Sequence, residues 1–178
     1  MSAAASNTRE ALQRAIARRQ RRQTKARWWR FGILAVVALA ADQITKAIVR
    51  GSVDPRETIE VFPGFDISRV TNEGIAFGLF PGRPGAVAIL TVAALCAIAI
   101  ALAGLVARNA TVAAGAGLLV GGSLGNLIDR LAHGEVTDFL DPARWPAFNV
   151  ADCCITVGAV LIVLGLMREA EEDDQHPA

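Results

Sequence analysis

Residues 85–107 form a run of 23 positions without a charged side chain. At 1.5 Å per residue a helix of that length reaches roughly 35 Å, enough to cross the hydrocarbon layer of a bilayer. Three further stretches are nearly as apolar: about Phe31–Val49, Thr111–Ile128 and Val150–Met167. Hydrophobic residues make up 53% of the 178, a membrane-protein composition. The expected fold is an all-α membrane protein, with four transmembrane helices in one domain.

Charge orients the spans. Nine of the 18 Lys and Arg lie in residues 1–30, where Glu10 is the only acid. Such an arm directly before an apolar span fits anionic lipid and an inside-facing N-terminus better than nucleic acid. It reads as a frayed amphipathic helix on the membrane surface. Trp28 and Trp29 mark an interfacial belt. The inner side then holds eleven basic residues, counting Arg108 and Arg168 with the nine, against six on the outer side. Three regions follow: a basic cytoplasmic arm (1–30), a four-helix unit (31–168) and an acidic cytoplasmic tail (169–178). Ala38-Leu39-Ala40 resembles a cleavage site, but the apolar pattern resumes at Ile44 and Ala47, so a retained helix is expected.

Between the first two spans, Thr58–Phe62 and Phe65–Ser68 alternate apolar and polar residues around Pro63-Gly64. That pattern predicts two strands and a turn, hence a small extracytoplasmic sheet on the membrane surface. Cys96, Cys153 and Cys154 lack the spacing of a zinc site or a disulfide framework. No metal or cofactor is expected.

Two aspartates fall near the outward ends of spans. Asp138 lies in Gly134-Glu-Val-Thr-Asp138-Phe139, in the second outer loop, and Asp152 in Phe148-Asn149-Val-Ala151-Asp152. Carboxylates at membrane depth are costly and tend to be functional. Two that converge can share a proton and activate a water for attack on a carbonyl. Asn126, Asp129 and Arg130 share one helix face. Asp129 is a rival for the catalytic role, but with Arg130 as an ion-pair partner it is assigned to ordering the loop that carries Asp138. Asp42 and Lys46, at i and i+4, form either an ion pair with Lys46 snorkelling outward or a site near a substrate head group. Asn72 suits a hydrogen bond to an extended substrate backbone, and Asn149 could orient Asp152 through its amide. Gly121 and Gly122 allow close approach of helices or substrate. A charged pathway through Asp42, Lys46, Asp129 and Asp152 would suit a transporter, and the basic arm a scaffold. The charges gather near one face instead of crossing the membrane, which disfavours the first.

Five stretches together resemble the lipoprotein signal peptidase (signal peptidase II) family: Asp42-Gln-Ile-Thr-Lys46, Thr71-Asn72-Glu-Gly74-Ile-Ala76-Phe77, Gly122-Ser-Leu-Gly125-Asn126-Leu-Ile-Asp129-Arg130, Gly134-Glu-Val136-Thr-Asp138-Phe139 and Phe148-Asn149-Val-Ala151-Asp152. The resemblance implies an intramembrane aspartyl endopeptidase of the bacterial inner membrane. Such enzymes cut prolipoproteins just before a diacylglyceryl-modified lipobox cysteine. The implied catalytic pair is Asp138 and Asp152. Implied substrate-binding or supporting residues are Asp42, Lys46, Asn72, Gly74, Gly122, Gly125, Asn126, Asp129, Arg130, Asn149 and Ala151. Implied partners are prolipoprotein signal peptides, membrane lipid and globomycin-type inhibitors, with no cofactor.

Overall fold

The structure is a computed structural model that describes residues 2–55, 57–72 and 84–175, with side chains for residues 10–55, 57–72, 85 and 89–171. The chain runs α1 (Ser2–Ser52), β1 (Thr58–Phe62), β2 (Phe65–Asn72), α2 (Pro84–Arg108), α3 (Ala110–His133), β3 (Val136–Pro142) and α4 (Val150–Gln175). All four helices are long and apolar enough to cross a membrane.

Small residues put α3 at the centre. It packs on α1, α2 and α4. A Cβ on Gly115 would sit 2.5 Å from Gly158 O of α4, and one on Gly122 would sit 2.5 Å from Ala151 O. On its other side Gly117 and Gly121 lie against the Phe31 and Ala35 carbonyls of α1. Only glycine allows backbones this close, and such seams drive helix association where lipid is as apolar as leucine. The glycines therefore serve helix packing. α2 has little of such a seam and leaves Ile89, Leu90, Val92 and Ile100 exposed, a surface suited to lipid.

The α2–α3 turn is tightly tied. Asn109 caps α3, accepting from Thr111 N at 2.9 Å and Val112 N at 3.1 Å, and its amide donates to Gly165 O at 2.9 Å. Val106, Val112, Ala113, Ala116 and Ile162 form a core beside it. Arg27 donates to Ala107 O at 2.8 Å, covering an orphan carbonyl at the end of α2, and Arg30 donates to Ala110 O at 3.4 Å in the first turn of α3. The basic arm is not a separate, frayed surface helix. It is the first part of α1 and joins the rest without a break, because residues 2–30 are rich in Ala, Arg and Gln and hold no Gly or Pro.

At the opposite end of the bundle lies an antiparallel sheet of order β1-β2-β3. The hairpin β1–β2 turns at Pro63-Gly64, where Gly64 adopts φ 88°. The third strand was expected to be loop. It pairs Val70 with Asp138, Thr71 with Thr137 and Asn72 with Val136. Val49, Val53 and Phe139 pack together and fasten the sheet to the end of α1.

Candidate active site

Asp152 stands in the first turn of α4, where a reciprocal cap fixes it. Asn149 Oδ1 accepts from Asp152 N at 3.0 Å, and Asp152 Oδ2 accepts from Asn149 N at 3.3 Å. That is the capping box built from Asn and Asp. The positive end of α4 and these N–H donors form the environment of an anion.

Asp138 comes from β3 and is 3% exposed. Its Oδ1 accepts from the Asn149 amide at 2.6 Å and its Oδ2 from the Asn72 amide at 3.0 Å. One asparagine therefore serves both acids: its carbonyl oxygen caps the helix of Asp152 and its amide holds Asp138. This corrects the expectation that the Asn149 amide orients Asp152. Asn72 directs its amide to Asp138. Burial pushes the Asp138 carboxyl up to about 6, against the downward pull of the Asn72 amide; the charge of Asp152 adds to the rise.

Asn126 of α3 joins the pair from below. Its amide donates to Asp152 Oδ1 at 2.9 Å, and its oxygen accepts from the Asn149 amide at 3.2 Å and Lys46 Nζ at 2.7 Å. Lys46 does not snorkel. Its side chain is 0% exposed and pairs with Asp42 Oδ2 at 2.9 Å and Asp129 Oδ2 at 3.1 Å. Asp42 Oδ1 accepts from Ala151 N at 2.9 Å, and Asp129 Oδ2 from Thr137 N at 3.2 Å. Asp129 thus holds the backbone N–H of the residue just before Asp138. Arg130 donates to Asn126 O at 3.3 Å. Gly125 lies against the Asp42 carboxylate, with no space for a side chain. Gly74 lies outside the described residues, as does the rest of the segment 73–83.

Three contributors were not anticipated. Gln43 donates to Asp42 Oδ2, Gly125 O and Asp129 Oδ1 at 3.1–3.2 Å. Arg50 donates to Asp129 Oδ1 at 3.3 Å and to Thr137 Oγ1 at 3.2 Å. The spacing held a signal for Arg50, which lies four residues after Lys46 on the same helix face. Thr137 had none. Among the described residues no group of three or more His, Cys, Asp or Glu is placed to hold a metal ion.

Residues 34–168 match the family described as signal peptidase (SPase) II. The chain belongs to the signal peptidase II family. The lipoprotein signal peptidase of Neisseria meningitidis serogroup C is 40% identical over 160 residues, covering 84% of this chain and 95% of that protein. That of Pelotomaculum thermopropionicum is 37% identical over 144 residues, with 80% and 95% covered. Two solved structures, each described as a bacterial membrane enzyme obtained by the in meso method, share the fold. One has TM-score 0.70 and 31% identity over 82% of this chain and 92% of that one; the other has 0.64 and 34% over 75% and 90%. As a signal peptidase II the protein is a multi-span membrane peptidase. The family match begins at Leu34, so the whole basic arm lies outside it.

Proposed function

We propose that the protein is an aspartyl endopeptidase that removes signal peptides from prolipoproteins, cutting just before a diacylglyceryl-modified cysteine. The observation that carries this reading is the convergence of Asp138 and Asp152 on the single side chain of Asn149 at one end of the bundle. The distribution of Lys and Arg favours a cytoplasmic-membrane protein with both termini inside and this end outside.

The chemistry follows from the two environments. Asp152, at a helix N-terminus, serves as the carboxylate that takes a proton from water as the water oxygen bonds to the scissile carbonyl carbon. Asp138, buried, serves as the protonated partner and gives its proton to the carbonyl oxygen. A protonated carboxyl still accepts hydrogen bonds, so the Asn72 and Asn149 contacts persist. Collapse of the gem-diol breaks the C–N bond. The proton gained by Asp152 passes to the leaving amine, and Asp138 recovers its own from the diol. Cyclic peptides of the globomycin type would compete for this place.

A gel-shift assay tests the reading. Purified protein in detergent receives a diacylglyceryl-modified prolipoprotein, beside Asp138→Asn and Asp152→Asn variants. Cleavage by wild type alone, immediately before the lipidated cysteine, is expected. A folded wild type that leaves the substrate intact would overturn the proposal and turn attention to transport.

A further inference from the structure

Each of the two acids is preceded by a residue whose backbone N–H is held by a second, buried aspartate. Ala151 N, before Asp152, donates to Asp42; Thr137 N, before Asp138, donates to Asp129. These buried carboxylates sit on different helices, α1 and α3, and share one cation, Lys46 Nζ, with the neutral Gln43 amide as a second link between them. An ammonium has three N–H donors. The third goes to Asn126, whose amide holds Asp152 itself. Lys46 therefore reaches both acids by three routes, through groups that it pairs with while its own side chain is fully buried.

We propose that Lys46 is a positioning residue that fixes the separation of Asp138 and Asp152 by tying Asp42, Asp129 and Asn126 to one point. The proposal rests on the reading of those two acids as the catalytic pair. Its physical basis is charge balance in a dry place. Asp42 and Asp129 are countered by Lys46 and Arg50, and Arg50 reaches only Asp129 among the buried acids described. Without Lys46, two buried carboxylates face each other across one remaining cation and repel. They move apart, and each carries its backbone partner, Ala151 or Thr137, with it. Arg50 reinforces the Thr137 side alone, through the hydroxyl. On the α4 side Lys46 is the one cation paired with Asp42 among the described residues.

The test uses Lys46→Met, which keeps chain length and removes charge. On the diacylglyceryl substrate, KM should stay within about threefold while kcat falls about 100-fold, the expected cost of a misplacement near 1 Å. Should that variant fail to fold, Lys46→Gln, which removes the charge but keeps a hydrogen-bond donor, serves instead. A second readout needs no activity: backbone hydrogen exchange in the full-length protein at residues 135–140 and 149–153. Both segments should quicken together in the variant, although they belong to different elements. Wild-type kcat in a folded variant, or quickening confined to one segment, would overturn the proposal. If the wild type proves unable to cleave and both segments still quicken, the positioning role stands and the proteolytic reading falls.

Discussion

Asn149 donates its side-chain amide to Asp138 at 2.6 Å, from a position that also caps the helix carrying Asp152. Asn149→Ala removes both at once. A lost cap costs about 1 kcal/mol, and an orphaned buried acceptor adds about 1–3 kcal/mol. The expected result is a lower unfolding midpoint in detergent and loss of cleavage by at least about 100-fold. An unchanged midpoint with near-wild-type cleavage would remove Asn149 from the site.

Asp138 gives the site a pH signature. Its folded value of about 6 lies above the ordinary 3.8, so the folded protein binds its proton more tightly than the unfolded chain does. The associated stability is fully present below about pH 3.8 and is lost as pH rises through about 6. A shift of this size corresponds to a few kcal/mol, since one unit is about 1.4 kcal/mol. Asp138→Asn should flatten this part of a midpoint-against-pH curve measured from pH 4 to 8. A curve of the same slope in wild type and variant would contradict it. In the wild type, kcat should decline above about pH 6 as the protonated form empties.

The glycine seam discriminates sharply between positions. Gly115→Ala places a Cβ 2.5 Å from Gly158 O and 2.9 Å from Ile162 N, both backbone atoms that cannot step aside. Overpacking of this kind costs about 1–3 kcal/mol. Gly104→Ala meets nothing within 4 Å and should be tolerated. Thermal unfolding of the two variants side by side checks the contrast.

The arm divides at Thr24. Removing the arm residues before Thr24 should leave cleavage within a few-fold of wild type, as no described contact ties them to the bundle beyond α1. Removing residues to Arg30 strips the side chains that cover the Ala107 and Ala110 carbonyls. Each such bond contributes about 1 kcal/mol, so the midpoint should drop. Loss of cleavage on the shorter truncation would favour the scaffold reading of the arm.

The sequence carried the four spans, because an apolar run longer than a bilayer is thick has few other uses. It also carried the β1–β2 hairpin, through alternation and Pro63-Gly64. The strand β3 was hidden. Val136, Thr137, Asp138 and Phe139 are all buried, so no alternation of apolar and polar residues appears, and aspartate is a poor strand former. The motifs named the polar residues of the site, but not their directions. Asn72 and Asn149 are amides that can donate or accept, and only the fold decides that both turn their N–H groups toward Asp138. Lys46 was legible as a partner of Asp42 through the i, i+4 spacing. Its tie to Asp129 joins residues 83 positions apart on different helices, and no local pattern encodes that.

The Asp42 and Lys46 pair is made within α1, whereas the hydrogen bond that completes it comes from Ala151, 109 residues further along the chain. Ribosomes deliver the chain from its N-terminus, so this helix is made well before its partner in α4 exists. One turn of helix is enough for the two opposite charges to neutralise each other. The early helix can therefore enter lipid carrying the polar groups of a site that only the last helix will finish.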